Sequence, residues 1–180
     1  MQLLLNSIQH QNDQKAFKQL YQLFFFKLYQ FAYSYTRSKE SSEELVNDVF
    51  LNIWQKRDTL DSIQNINLYL YVSVKNASLN YLRRNSLPVP VSVDDLHADH
   101  FQITADPESA LISRELQGQV AAAIEQLPSR CKLIFKLVKQ DGLSYKEVAD
   151  LLGISTKTVD SQLCLALKKL AHLLHPVNSW

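Results

Sequence analysis

Across residues 16–35 the apolar side chains Phe17, Leu20, Tyr21, Phe24, Leu28, Phe31 and Tyr35 return every three or four positions. That period lays them along one face of a helix, so the segment predicts a single amphipathic helix whose aromatic side chains serve as core. The consecutive Phe24, Phe25 and Phe26 cannot all face inward. Ser41, Ser42, Glu43 and Glu44 have capping-box form and predict the opening of a second helix carrying Leu45, Val46, Val49, Phe50, Ile53 and Trp54. Residues 57–67 are polar and lose the period, which predicts a loop. A third helix is expected from about residue 68 to residue 84. At about 100° per residue its buried stripe is Leu68, Tyr71, Val72, Leu79 and Leu82. Tyr69, Ser73, Asn76, Asn80, Arg83 and Arg84 fall on an adjoining polar face.

Periodicity then stops. Residues 85–112 contain Pro88, Pro90 and Pro107 and read as a flexible tether, longer than the connections usual inside compact domains. The chain therefore divides into a helical part at 1–84, a linker at 85–112 and a second helical part at 113–180. Helices resume near Ser113 and run to Leu127. Another opens at Pro128 and Ser129 and carries Cys131, Ile134, Phe135, Leu137 and Val138, and Asp141 and Gly142 turn the chain.

Residues 143–159 carry the most specific pattern, a helix, a glycine-marked turn and a second helix. Ala149 is small enough to let the two helices approach. Gly153 can take the positive φ that ends the first, and Ser155 or Thr156 caps the second. Val148, Leu152, Ile154, Val159 and Leu163 supply the inward contacts that set the crossing angle. The spacing of Ala149, Gly153 and Val159 is that of a DNA-reading helix-turn-helix.

Composition agrees with this all-α reading. Hydrophobic residues make up 46% of the 180, with only three glycines and five prolines, which favours long helices over a turn-rich β architecture. The formal net charge of +1 hides a pattern. Residues 1–84 hold ten Lys and Arg against seven Asp and Glu, and residues 111–180 hold nine against six. Residues 85–110 hold five acids, Asp94, Asp95, Asp99, Asp106 and Glu108, and no Lys or Arg. Two basic ends flank an acidic connector, compatible with a polyanion bound at both ends. Cys131 and Cys164 suit neither a disulfide framework nor a zinc knuckle and are expected as free thiols. The N-terminus lacks a basic n-region and no apolar run approaches membrane length, so no stable membrane insertion is expected and the protein is placed in the cytoplasm.

Two helical domains, an acidic tether and a terminal helix-turn-helix resemble the extracytoplasmic-function (ECF) branch of the sigma-70 family of RNA polymerase sigma factors. The segment 43–54 is similar to the part that grips the clamp helices of the polymerase, and the resemblance makes Glu44, Asn47 and Asp48 the polymerase contacts. Segment 67–84 is similar to the part that recognises and melts the −10 promoter element, which implies −10 contacts at Tyr69, Ser73, Lys75, Asn76, Asn80, Arg83 and Arg84. Lys75 and Asn76 match an Arg-Asn pair common in the family, and Asn80 replaces its usual Asp. The loop at 58–67 matches one that pockets a base flipped from the non-template strand, where stacking and hydrogen bonds offset the cost of unstacking.

Segment 155–170 looks like the −35 recognition helix, with Lys157, Thr158, Ser161, Gln162, Leu165 and Lys168 as its DNA contacts. Projection from Val159 puts Lys157, Ser161, Cys164, Leu165 and Lys168 on the outer side. Lys157 and Lys168 are expected to hold phosphates, Ser161 and Gln162 to read base edges, and Leu165 to meet a thymine methyl. Asp160, Gln162 and Leu165 stand where the family often carries a base, which makes this face less basic than usual.

The resemblance implies core RNA polymerase and promoter DNA as partners, with an anti-sigma protein as a regulator. It implies a factor that directs promoter-specific initiation, with no catalytic group and no cofactor. A stand-alone helix-turn-helix regulator with an N-terminal dimerisation or sensor domain is the alternative, but leaves the Asn47 and Asp48 helix and the Asn and Arg face unexplained. No glycine-rich phosphate loop or nucleophile elbow supports an enzyme. Neither His97 with His100 nor Cys164 with His172 and His175 supplies three metal ligands at established spacing.

Overall fold

The computed structural model describes residues 1–96 and 114–174, and among these every regular element is helical. The chain forms two compact units, Met1–Pro90 and Val91–Trp180.

In the first unit, α1 (Gln2–Gln11), α2 (Gln14–Thr36), α3 (Lys39–Gln55) and α4 (Ile66–Arg84) pack around α2, which lies against each of the other three. Asp13 caps α2 by accepting from the N–H groups of Lys15 at 2.8 Å and Ala16 at 3.2 Å. The apolar side chains of α2 at Leu20, Phe24, Leu28, Phe31 and Tyr35 are buried as the period requires. Phe31 meets Tyr35 and Tyr71 edge to face, with centroids 5.4 and 5.0 Å away. The phenylalanine triplet divides, with Phe24 buried and Phe25 and Phe26 half-buried. Phe25 stands in a ladder of aromatic rings at every fourth residue, Tyr21, Phe25, Tyr29 and Tyr33, at 4.9, 6.2 and 6.3 Å.

Three details depart from the sequence reading. The first helix, α1, has no counterpart in it, because ten residues with Leu5 and Ile8 as their buried positions carry too short an apolar period. Next, α3 begins at Lys39 with Ser38 as its cap, before the expected capping box. Ser41 and Ser42 serve tertiary contacts instead. Ser41 Oγ donates to Tyr81 Oη of α4 at 2.8 Å, and the Ser42 and Thr36 hydroxyls share a buried hydrogen bond of 2.7 Å. Finally, the buried stripe of α4 is Ile66, Leu70, Tyr71, Val74, Ser78 and Leu82, with Val72 38% exposed and Leu68 and Leu79 half-buried. Ser78 misled the projection: its Oγ is buried without a hydrogen-bond partner among the described residues. A polar residue in the middle of a core stripe shifts the apparent apolar centre.

The second unit is built from α5 (Arg114–Glu125), α6 (Ser129–Phe135), α7 (Tyr145–Leu152) and α8 (Thr156–Leu174). Ala123, Ile124, Leu127, Cys131, Ala166 and Leu170 form one of its apolar clusters. Between α6 and α7 the chain makes a π-helical turn at Lys136–Gln140, closed by Asp141 N–H donating to Lys136 C=O at 3.0 Å. The expected tether is divided: residues 85–90 belong to the first unit and residues 91–96 to this one. Val93 and Leu96 are buried, Ser92 and Asp95 cap a short 3₁₀ turn reciprocally, and Asp94 accepts from Arg130 Nη1 at 2.7 and 2.9 Å. Residues 97–113 and 175–180, with His97, His100, Asp99, Asp106, Pro107, Glu108, Ser113 and His175, lie outside the described residues. Among the described residues no helix is long and apolar enough to cross a membrane.

Two lysines are buried here. Lys132 pairs with Glu125 at 3.0 Å. Burial pushes the Lys136 ammonium down to about 8 from an ordinary 10.5, with neighbouring Lys132 adding to the shift and Glu125 and Asp141 opposing it. An unfolded chain keeps this proton up to the ordinary value, so between pH 8 and 10.5 the unfolded state binds the extra proton and stability rises with pH. Urea unfolding of wild type and Lys136→Met across this window should show a wild-type rise that the variant lacks.

Candidate functional site

The structure resolves three polar surfaces, two on the first unit and one on the second. On α3, burial of Leu45, Val46, Val49, Phe50 and Ile53 against the core turns Glu44, Asn47 and Asp48 to the exposed side. Leu51 shares that side and is 54% exposed, an apolar residue among acids that the sequence reading passed over. The signal was available: Leu51 lies seven residues from Glu44 and three from Asp48, which places all three on one face. Asn47 Oδ1 accepts from Tyr21 Oη at 2.9 Å, so this amide sits at the edge of the face beside the aromatic ladder of α2. Burial, and then the Glu43 carboxylate, raise the Tyr21 hydroxyl above its ordinary value and keep it a donor.

On α4 the predicted polar face exists, with two amendments. Tyr69, Asn76, Asn80, Arg83 and Arg84 are exposed and Ser73 is half-buried. Val72 joins them on this side. Lys75 does not: at about 100° per residue it projects well away from Asn76 and Asn80, on the flank of the helix. It is half-buried, and burial lowers its ammonium below the ordinary lysine value. Lys75 and Asn76, the residues matched to the family's Arg-Asn pair, stand about 100° apart as consecutive helical positions do.

Next to α4 lies the loop expected at residues 57–67. Its first half is a 3₁₀ turn, Arg57–Ser62, anchored by Leu60, which is 2% exposed. Asn65 then caps α4 by accepting from Leu68 N–H at 3.2 Å. Trp54 supports the turn: the Arg57 guanidinium lies 4.9 Å above its ring and donates to its carbonyl at 2.9 Å. Helix α1 braces the turn from the other side. Gln9 donates from Nε2 to the Asp58 carbonyl and accepts at Oε1 from Asp61 N–H, both at 2.9 Å, and Arg57 Nε donates to Asn12 Oδ1.

In the second unit the helix-turn-helix forms as the spacing predicts. Ser144 and Glu147 build a reciprocal cap on α7, and Gly153 ends it at φ 68°. Ser155 caps α8 by accepting from Thr158 N–H at 3.0 Å. Val148, Leu152, Val159 and Leu163 are buried, and Ile154 is half-buried. Along α8, Lys157, Ser161, Leu165 and Lys168 are exposed, Leu165 by 54%. Ser161 Oγ bonds back to the Lys157 carbonyl at 2.9 Å. Two expected contacts are drawn inward. Thr158 is half-buried and its hydroxyl shares a 2.8 Å hydrogen bond with Ser155. Gln162 is half-buried, and its Oε1 accepts from the Cys131 thiol of α6 at 2.9 Å. Burial pushes the Cys131 thiol up, which keeps it protonated and able to donate. Sequence reasoning missed this because the pairing joins residues 31 positions apart. Among the described residues no group of three His, Cys, Asp or Glu side chains is placed to hold a metal ion.

Comparison with known proteins matches the two units to two family profiles, sigma-70 region 2 at residues 20–87 and sigma-70 region 4 at residues 117–170. The chain is 27% identical over 183 aligned positions to the ECF RNA polymerase sigma-E factor of Escherichia coli strain K12, covering 98% of this chain and 95% of that protein. It is 25% identical to the ECF RNA polymerase sigma factor SigW of Bacillus subtilis strain 168, over 84% of each. Among solved structures it is similar to the sigma factor RpoE of Bartonella quintana, crystallised with the anti-sigma factor NepR, at 22% identity and a TM-score of 0.49, covering 92% of this chain and 99% of that one.

Gly153 holds its turn through conformation alone, since a methyl added there meets no atom within 4 Å. Gly153→Ala should therefore lower the stability of the second unit by about 1 kcal/mol, the cost of a left-handed alanine. Gly118→Ala, at an open position inside α5, should raise it by up to about 1 kcal/mol. Urea unfolding midpoints of the two variants against wild type measure both.

Proposed function

The chain belongs to the ECF branch of the sigma-70 family of RNA polymerase sigma factors, and within that family we propose how its surfaces share the work. The protein binds core RNA polymerase and directs initiation at promoters through their −10 and −35 elements; it is not an enzyme. The observation that carries the division of labour is the presence, on one chain, of two differently built polar faces. One is the Asn, Arg and Tyr stripe of α4, and the other the Lys, Ser and Leu face of α8.

Residues 1–84 act as the polymerase-binding and −10 domain, residues 85–112 as the linker, of which 91–96 pack on the second unit, and residues 113–180 as the −35 domain. Glu44, Asn47 and Asp48 meet basic side chains of the polymerase, and Leu51 fills an apolar contact among them. The acids set orientation and encounter rate, while covering the exposed half of Leu51 gains roughly 1 kcal/mol of affinity. Tyr69, Asn76 and Asn80 meet unstacked bases of the −10 strand, and Arg83 and Arg84 hold its phosphates. Ser73 borders them, and Lys75 contributes charge from the flank. The loop at 58–67 receives a base turned out of the stack, and melting needs no chemical step because the open strand is captured as it appears.

At the −35 element, Lys157 and Lys168 neutralise phosphates, Leu165 meets a thymine methyl, and Ser161 reads a base edge. Gln162 has its carbonyl oxygen occupied by the Cys131 thiol, which leaves its amide hydrogens for a base. Thr158 takes part through the cap that orients the helix. Two lysines make a modest electrostatic contact, so promoter choice leans on the −10 face and on the polymerase. The protein works in the cytoplasm, where the polymerase acts, and its regulator is an anti-sigma protein, the partner that the family commonly uses. A stand-alone regulator would bind duplex DNA by itself and has no use for the α3 face.

In vitro transcription with core polymerase and a genomic promoter pool tests the whole reading; a chain that yields no start sites overturns it. Asp48→Lys and Leu51→Ala should each weaken core polymerase binding about tenfold while leaving −35 duplex binding intact. Lys157→Ala or Lys168→Ala should each reduce the salt dependence of −35 binding by about one phosphate contact, and Leu165→Ala should relax preference at a single base pair. Arg83→Ala should weaken −10 strand binding more than Lys75→Ala does; the reverse order would place the strand on the other side of α4.

A further inference from the structure

We propose that Gln9 is a positioning residue for −10 strand capture, with α1 serving as the brace that holds the 57–62 turn ready for an unpaired base. The inference rests on the base-capturing role of that loop. Gln9 lies 49 residues from Asp58 and 52 from Asp61, and one side-chain amide meets both, donating to the carbonyl of the first and accepting the N–H of the second. A glutamine amide carries the same donor and acceptor as a peptide group, so Gln9 does for this turn what a neighbouring strand would do for its backbone.

The turn needs such support. A 3₁₀ run of six residues is longer than the three or four usual for this geometry, whose hydrogen bonds are poorly aligned. Within it, Thr59 N–H donates to Lys56 C=O and Ile63 N–H to Leu60 C=O. Thr59 and Ser62 hydroxyls add local bonds to the Lys56 and Thr59 carbonyls. All of these are local bonds within residues 56–63, reaching no further than Lys56, the C-cap of α3. The ties come from Leu60 below, from Arg57 stacked on Trp54, and from α1 through Gln9 and Asn12. Asn12 itself sits in the left-handed conformation that ends α1, at φ 50°, so the chain reversal after α1 presents its side chain to Arg57.

A loop that must order itself on binding loses affinity to that ordering, and one already held does not. Bracing by α1 therefore sets how strongly the captured base, rather than the strand backbone, contributes to binding. Asp58, Thr59, Asp61 and Ser62 are exposed on the braced turn, and Gln9 holds the backbone of two of them, Asp58 and Asp61.

The test uses holoenzyme assembled from core polymerase and the full chain. The probes are the non-template −10 strand of a promoter recovered by the transcription assay above and the same strand with an abasic site at each position in turn. Wild type should prefer the intact strand at one position in particular. Gln9→Ala should lower affinity for the intact strand by about tenfold, leave the strand abasic at that position bound as before, and so erase the preference. Gln9→Glu keeps the acceptor for Asp61 N–H and loses the donor to Asp58, and should fall between the two. Core polymerase affinity should be the same for all three chains. A Gln9→Ala chain that keeps the wild-type ratio of intact to abasic binding overturns the inference alone, as does one whose core affinity falls in step with its strand affinity. A wild-type chain that binds every abasic strand as well as the intact one overturns the base-capture reading and the inference together.

Discussion

Burial of one helix organises the first unit. The apolar side chains of α2 are more than a single neighbour can cover, so α1, α3 and α4 each pack against it. Leu20, Leu28 and Phe31 reach complete burial as a result. At roughly 1.5–3 kcal/mol for each large apolar side chain fully buried, this shared core dominates the stability of the unit. The surfaces that work are its consequence. Once α3 and α4 commit one face each to α2, the opposite face of α3 carries Glu44, Asn47, Asp48 and Leu51 into solvent, and that of α4 carries Asn76, Asn80 and Arg83.

The second unit obeys a different constraint, the tight left-handed turn between α7 and α8. Gly153 permits the turn, Val159 and Leu163 hold α8 against the core, and what remains outside is the Lys157, Ser161, Leu165 and Lys168 face. The same packing brings α6 alongside α8, where the Cys131 thiol engages Gln162. Recognition is thus shaped partly from behind the reading helix. The acidic Asp94 turn also docks here through Arg130, so residues 91–96 of the connector form a small structural element of this unit.

Periodicity and turn chemistry made much of this legible. Helices α2 and α4 fall within two residues of their expected bounds, α8 starts one residue after the expected segment and runs four residues past it, and the turn glycine adopts the positive φ assigned to it. These features are local: apolar spacing, caps and a left-handed residue each depend on a few neighbouring positions. The errors arose where tertiary partners decided. Ser41 and Ser42 look like a helix cap in sequence but hydrogen-bond to Tyr81 and Thr36. Ser78, absent from the expected stripe of α4, is buried in it, while Val72, expected there, is 38% exposed.

Residue spacing and charge were enough for the helical class, the helices after α1, the acidic connector between two basic parts and the helix-turn-helix. Only the tertiary structure decided which of the polar residues share a surface. It buried Ser78 in the α4 stripe, drew Gln162 and Thr158 inward, and brought Gln9 to a turn some fifty positions away. The physical reason is the same in each case: a side chain's solvent face is whatever its helix's packing partners leave uncovered, and those partners lie far away in sequence.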